Sequence, residues 1–158
     1  MPSQVLSEQA AAVEAFVRLV RGHAAATRAM NASLVADHGL TINDYEALLH
    51  LARADERRMR RVDLAQRLIL TASGITRLLD GLEEAGYVER AACDSDRRVT
   101  YAVLTDAGLE KLRTASKSHV ADIRAYFESR FSEEELARMV ELLERLPLDG
   151  TTPDCSVD

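Results

Sequence analysis

A short stretch in the middle of the chain carries side chains suited to hydrogen bonding with nucleic acid. It combines small residues, hydroxyls and one guanidinium: Thr71, Ala72, Ser73, Gly74, Thr76 and Arg77. Small residues at a helix start let that end approach the floor of a DNA major groove, and hydroxyls and arginine can hydrogen bond to bases and phosphates. A core helix with an ordinary capped start would have the same composition, so the neighbouring elements must decide between the two interpretations.

A second cluster follows about twenty residues later and is rich in charge. The sequence Asp94-Ser95-Asp96-Arg97-Arg98 reads as a turn between two strands. An arginine at such a tip can enter a DNA minor groove, and a neighbouring carboxylate can orient its side chain. A plain solvated turn is the alternative. Cys93 precedes the turn, and nearby arginines would lower the pKa of its thiol, which suggests a redox-sensitive position; a tolerated small residue is the simpler interpretation.

The elements that position these clusters follow from the spacing of apolar residues. Apolar residues spaced three and four apart predict six helices: over 7–37, from 41 onward, around 62–68, over 71–86, over 105–130 and from 132 to just before Pro147. Residues 53–61 are expected to form a polar connector between the second and third helices. Alternation predicts strands over 87–90 and 99–104. The fourth helix is expected to bury Ile75, Leu78, Leu79 and Leu82, and the sixth Leu136, Met139, Val140 and Leu143. Two short helices followed by a hairpin describe a winged helix-turn-helix.

Charge is distributed in a way that suits a local DNA contact. The 158 residues carry a net charge of −6, yet residues 53–98 hold ten arginines against nine acids. Three of these acids, Asp80, Glu83 and Glu84, lie on the fourth helix beyond the polar cluster, where a helix that inserts its N-terminal end would be leaving the DNA. A basic middle segment between acidic terminal segments indicates a local positively charged contact surface rather than a protein that is basic overall.

Composition excludes several other classes. Apolar residues make up 47% of the chain, aromatic residues only 4%, and there are seven glycines and three prolines, which favours a mainly helical globular protein. The sequence contains no apolar run of membrane-spanning length and no signal segment, so a cytoplasmic protein without membrane contact is expected. No two of the four histidines are three or four residues apart, and no Cys-x-x-Cys motif or phosphate loop is present. We therefore expect no metal, no cofactor and no catalysis.

The sequence resembles the MarR (multiple antibiotic resistance regulator) family. The wing pattern at 94–98, followed by Leu104-Thr105-Asp106-Ala107-Gly108, is similar to the family's wing signature, and residues 64–88 are similar to its helix-turn-helix. The resemblance implies a mainly α (α+β) fold: one domain over 1–158, with a DNA-binding lobe at 40–104 and a dimerisation region at 5–38 and 105–147. It also implies that Asp96, Arg97 and Arg98 form the wing contact and that residues 71–77 contact the major groove.

The resemblance further implies a homodimer, and the residues agree, because three apolar-striped outer helices exceed what the lobe can cover. The predicted function is a ligand-responsive repressor that binds double-stranded DNA at a pseudo-palindromic operator. Relatives bind small anionic or phenolic effectors where the outer helices meet the lobes; Arg21, His23, Tyr45 and His50 are possible polar linings. The alternatives are a winged-helix module for protein–protein contacts and a small-molecule-binding helical dimer without DNA binding.

Overall fold

The first helix is the longest element and lies mostly outside the core. A computed structural model describes residues 2–92 and 99–146, and in it α1 runs over Pro2–His38. Between residues 10 and 38 of α1, for which burial is described, only Met30 and Leu34 are buried against the rest of the chain. Gly39 ends the helix at φ +66, a left-handed conformation that glycine adopts without the steric cost of a Cβ.

The lobe that follows contains three helices and a small sheet. Its elements are α2 over Ile42–Arg53, β1 over Arg58–Arg60, α3 over Arg61–Arg67, α4 over Ala72–Glu84, β2 over Val88–Ala92 and β3 over Thr100–Leu104. Thr41 begins α2 as a capping box, because its hydroxyl accepts from the Asp44 amide while the Asp44 carboxylate accepts from the Thr41 amide. The three strands are antiparallel in the order β1-β3-β2.

The prediction of a polar connector over 53–61 was wrong, since part of it is a strand. After a short 3-10 turn at Asp55–Arg57, strand β1 pairs with β3 so that Met59 lies opposite Ala102. Three residues with a single apolar side chain give no alternation that a sequence pattern can detect. The strand forms because β3 offers a free edge, which is tertiary context.

The core lies where α2, α3, α4 and the sheet meet. Its side chains are almost entirely aliphatic, as the shortage of aromatic residues requires. The most completely buried of the large ones are Leu34, Leu48, Leu51, Leu64, Ile75, Leu79 and Val88. Each contributes about 1.5–3 kcal/mol by leaving water. Because Leu64 on α3 shares this core with Ile75 and Leu79 on α4, the two helices of the helix-turn-helix are fixed relative to each other.

Two further helices complete the described chain, α5 over Asp106–Glu128 and α6 over Glu133–Leu143. Polar contacts join α5 to the lobe and to α1: Tyr45 Oη on α2 lies 3.1 Å from Ser116 Oγ, and His38 Nε2 on α1 lies 2.6 Å from Ser118 Oγ. None of the helices in the described ranges is long and apolar enough to span a membrane.

The prediction that α6 buries its apolar side was wrong for the single chain. Leu136 and Met139 are only half-buried, and Val140 and Leu143 are exposed. Ser132 does cap the helix in the predicted capping box with Glu135. The apolar spacing of α6 is therefore genuine, but no other element in the described part of the chain covers it.

Candidate nucleic-acid interface

The first turn of α4 presents the predicted polar cluster to solvent. Thr71 is the N-cap in an extended conformation, and its hydroxyl accepts from the amide of Gly74 at 3.1 Å. Its Oγ1 also lies 3.2 Å from the hydroxyl oxygen of Ser73. Thr71, Ala72 and Ser73 are exposed, whereas Gly74 is half-buried. This end of the helix is therefore both capped and accessible.

The periodicity of α4 separates a core face from a solvent face. Ile75, Leu79 and Leu82 are buried, while Ser73 and Arg77, four residues apart, project together into solvent. The structure thus gives Ser73 and Arg77 one common exposed face close to the helix N-terminus. Leu78, predicted to face inward with the buried residues, is half-buried.

Thr76 has a different environment from its neighbours. It is half-buried, and its hydroxyl donates to the backbone carbonyl of Ala72 at 2.8 Å. The same oxygen accepts from Nη1 of Arg61 at 3.0 Å. Sequence reasoning missed Arg61, because it lies fifteen residues before Thr76 and nothing in the sequence indicates that the two side chains meet.

The acids on the second half of α4 have a partner on the wing. Arg90 of β2 forms an ion pair with Asp80, and its Nε lies 2.9 Å from a carboxylate oxygen of Glu83. From the sequence alone, these acids are interpreted as marking the end of the helix that leaves the DNA. In the fold they also join α4 to β2.

Among the lobe arginines that the structure describes, some pair with carboxylates and others do not. Arg57 pairs with Asp106, Arg58 with Glu56 and Arg60 with Asp63. Within the described residues, Arg61, Arg67 and Arg77 have no carboxylate partner, although Arg61 bonds to Thr76. All three lie on α3 and α4, so within the described residues these two helices carry uncompensated positive charge.

The sequence Leu104-Thr105-Asp106-Ala107-Gly108 has a structural role. Thr105 caps α5 by accepting from the amide of Gly108 at 3.0 Å, and it donates to the carbonyl of Gly86 at 2.8 Å. A Cβ on Gly108 would lie 2.2 Å from the carbonyl oxygen of Tyr87. This motif therefore joins the outer helix α5 to the start of the wing.

The predicted wing contacts lie outside the described residues. Asp96, Arg97, Arg98 and Cys93 all belong to 93–98, so the roles assigned to them stay predictions. The flanking strands are paired as a hairpin requires, from Val88 opposite Leu104 to Ala92 opposite Thr100.

The four residues suggested for an effector site occupy separate environments. Arg21 and His23 are exposed on α1, whereas Tyr45 is buried with its ring 4.6 Å from that of His119. His50 is half-buried, and burial, together with Arg67 and Arg53, lowers its pKa. No hydrogen bond or ion pair joins these four residues within the described ranges.

Comparison with known proteins identifies the family. A model of the MarR family matches residues 38–99, which run from the last residue of α1 to the residue before β3. The solved structure of AbsC, a MarR family transcriptional regulator from Streptomyces coelicolor, is 35% identical, with a TM-score of 0.68 over 80% of this chain and 87% of that one. The chain belongs to the MarR family. Its function is accordingly transcriptional regulation through DNA binding.

Two further relatives agree with this assignment. Sco3205, a MarR family regulator from Streptomyces coelicolor solved in complex with DNA, is 28% identical, with a TM-score of 0.74 over 82% of this chain and 81% of that one. The transcriptional repressor YetL of Bacillus subtilis is 33% identical over 108 residues, 68% of this chain and 64% of YetL. The predicted MarR-type winged helix fold is confirmed. MarR-family members are transcriptional regulators, not enzymes.

Proposed function

We propose that this MarR-family chain inserts the first turn of α4 into the DNA major groove, where Thr71, Ala72, Ser73, Gly74 and Arg77 meet base edges. The observation that carries the proposal is the exposed, capped start of α4 beside Arg61, Arg67 and Arg77, which have no carboxylate partner within the described residues. An arginine with no internal partner keeps its donors for guanine or phosphate. Asp96, Arg97 and Arg98 would add the minor-groove contact.

The functional unit in this proposal is a homodimer formed by residues 5–38 and 105–147, with a DNA-binding lobe at 40–104. Val13, Phe16 and Val20 project from one side of α1 and are 62%, 67% and 49% exposed, and Val140 and Leu143 on α6 are also exposed. Apolar side chains at helical spacing on several elements mark an association surface rather than isolated surface residues. A second copy of the chain would cover both helices.

Light scattering tests this assembly directly. Phe16→Glu should convert the dimer to monomer, because it puts a charge into the proposed interface. Val62→Glu is the matched control, since Val62 is a similarly exposed apolar residue on α3 outside that surface. Equal masses for the wild type and Phe16→Glu would contradict the proposed interface.

The finer regulatory function is repression that a small anionic or phenolic effector relieves. The repressor name of YetL and the resemblance to a family of ligand-responsive regulators support it. Because its partner is DNA, the protein would act in the cytoplasm. Titration of the protein–DNA complex with benzoate and with phenol, as the simplest members of the two classes, should release DNA with one of them.

The DNA-binding function is tested by selection from a library of random-sequence duplexes, followed by fluorescence anisotropy at two salt concentrations. The wild type should enrich a pseudo-palindrome, and Arg77→Ala should change the base preference at one position of each half-site. Arg124→Ala is the control, because Arg124 lies on α5 and already pairs with Glu128. Failure of the wild type to enrich any sequence would favour a protein–protein module, or a small-molecule-binding dimer if the chain is dimeric.

A further inference from the structure

Two adjacent arginines at the start of α3 have different surroundings. Arg60 donates to both carboxylate oxygens of Asp63, with Nε 2.7 Å from one oxygen and Nη2 3.3 Å from the other. Arg61 instead extends toward α4, and its Nη1 donates to the hydroxyl of Thr76 at 3.0 Å. The two side chains carry the same charge, but only that of Arg60 is compensated by a carboxylate.

The hydroxyl of Thr76 is fully committed as a donor. A threonine hydroxyl has one hydrogen, and this one goes to the carbonyl oxygen of Ala72 at 2.8 Å. The oxygen therefore accepts from Arg61 and has no hydrogen left to donate to a base. Thr76 is also half-buried, unlike the exposed Ser73 and Arg77 of the same helix. Its geometry suits holding a neighbouring guanidinium better than reading a base edge.

Arg61 keeps most of its hydrogen-bonding capacity. A guanidinium has five N–H donors in a planar fork, and within the described residues the recorded hydrogen bond of Arg61 uses one of them. The others belong to an uncompensated cation beside the helix that would enter the groove. A phosphate oxygen is the acceptor that such a fork binds best, with two parallel hydrogen bonds to one group.

We propose that Arg61 binds a phosphate of the DNA backbone beside the major groove and that Thr76 is the positioning residue that orients it. The proposal rests on the proposed function, because it requires α4 to lie in the groove. Thr76 then serves to orient an arginine that contacts the DNA backbone, rather than to discriminate between base sequences. The proposal also adds Arg61, which the sequence pattern had missed, to the interface. The phosphate contact and the recognition helix are thereby joined through one side-chain hydrogen bond.

A purely internal tie between α3 and α4 would have other consequences. Loss of such a tie would lower the stability of the lobe and would leave the number of phosphate contacts unchanged. A base-reading Thr76 would, in contrast, alter sequence preference when its hydroxyl is removed. The three roles are therefore separated by the salt dependence, the sequence preference and the thermal stability of matched variants.

The experiment measures binding to the duplex that the wild-type chain selects from a random-sequence library, at several salt concentrations. Arg61→Ala should weaken binding about tenfold or more and make the slope of log K against log salt shallower by about two per dimer. Arg60→Ala is the matched control: it removes the same charge one residue away, and it should change binding less than about threefold. Arg61→Lys keeps the positive charge and should therefore keep the salt slope of the wild type.

Thr76→Val removes the hydroxyl at constant shape and should weaken binding several-fold to every duplex, without a change in base preference. Thr76→Ser keeps a hydroxyl and should bind like the wild type. In the Arg61→Ala background, Thr76→Val should have no further effect. Circular dichroism melting of each variant identifies any that fail to fold, and the comparison of Arg61→Ala with Arg60→Ala keeps the test valid if Thr76→Val is one of them.

Three results would overturn the proposal: equal losses for Arg61→Ala and Arg60→Ala, a changed base preference for Thr76→Val, or an undiminished Thr76→Val effect without Arg61. A wild type that binds no duplex would instead contradict the proposed function itself.

Discussion

Gly108 in the first turn of α5 packs directly against the backbone carbonyl of Tyr87. A Cβ at this position would lie 2.2 Å from the Tyr87 oxygen and 2.7 Å from Cδ1 of Leu104. The nearest atom is backbone, so it cannot swing away as a flexible side chain would. The glycine at the end of the Leu-Thr-x-x-Gly motif is therefore required by the approach of the outer helix to the wing.

Gly108→Ala should lower the free energy of unfolding by about 2 kcal/mol or more, because the added methyl forces the α5–wing contact apart. Urea denaturation followed by circular dichroism measures the change. Gly81→Ala is the matched control: it also replaces a helical glycine, but nothing lies within 4 Å of its Cβ, so it should raise the stability by about 0.5–1 kcal/mol. Equal shifts for the two variants would show that the Gly108 contact is not tight.

Acidification should destabilise the junction between the outer helices and the lobe through His119. This imidazole is 6% exposed, with Nδ1 lacking a hydrogen-bond partner within the described residues, and its ring packs edge-on against Tyr45. Burial lowers the pKa of His119; Asp122 acts in the opposite direction and His38 adds to the lowering. The folded state therefore favours the neutral ring.

Because the folded-state pKa is below the unfolded one, the stability from a neutral His119 is present above about pH 6.5. It is lost as the pH falls from there through the folded-state pKa. Chemical denaturation between pH 7.5 and pH 5 should show this decline, and His119→Gln should reduce it. Part of the decline should persist from His50, whose pKa is lowered by burial, Arg67 and Arg53. An identical pH dependence for wild type and His119→Gln would refute this role.

Ile69 is a strained residue in the turn between α3 and α4. It has φ +53 and is 92% exposed, and it occupies the position after a helix end where glycine is usual. The turn is closed by hydrogen bonds from the Ile69 amide to Gln66 and from the Leu70 amide to Ala65. A β-branched side chain in this conformation costs about 1–2 kcal/mol.

Ile69→Gly should raise the stability by about 0.5–1 kcal/mol, since the relief of strain exceeds the entropic cost of glycine and no packing is lost. Thermal melting of the variant checks the sign. Ile69→Ala, which retains a Cβ, should gain less. A less stable glycine variant would mean that the isoleucine side chain makes a contact that its exposure does not indicate.

The wing prediction concerns Arg98, which lies outside the described residues. Arg98→Ala should weaken binding to all duplexes by about 1–3 kcal/mol and make the salt slope shallower, because a minor-groove arginine responds to groove width and phosphate field. Asp96→Ala should have the same effect in milder form. Anisotropy against selected and scrambled duplexes measures both. An unchanged affinity for Arg98→Ala would exclude a wing contact.

Sequence reasoning predicted the helices well, because their signals are local. Thr71, Thr105 and Ser132 each cap the helix that the pattern begins there, and Gly39 ends α1. Apolar periodicity and side-chain caps act within a few residues, so they can be read directly from the chain.

The features that sequence reasoning missed depend on distant neighbours. Strand β1 exists because Met59 meets Ala102, more than forty residues away. Arg61 joins the candidate interface because α3 and α4 pack so that its guanidinium reaches Thr76. The apolar side of α6 was predicted correctly as a pattern, but the described residues of the chain do not bury it.

The most direct test of the account is the spacing of the protected bases on a bound duplex. Two α4 helices related by a two-fold axis should protect guanine N7 atoms from methylation in two major-groove segments whose centres are about 10–10.5 base pairs apart. The selected duplex and the wild-type chain suffice for this footprint. We expect two equivalent segments at that spacing, and Arg77→Ala should weaken the protection of both together. A single protected segment, or two segments at a spacing far from one helical turn, would contradict it.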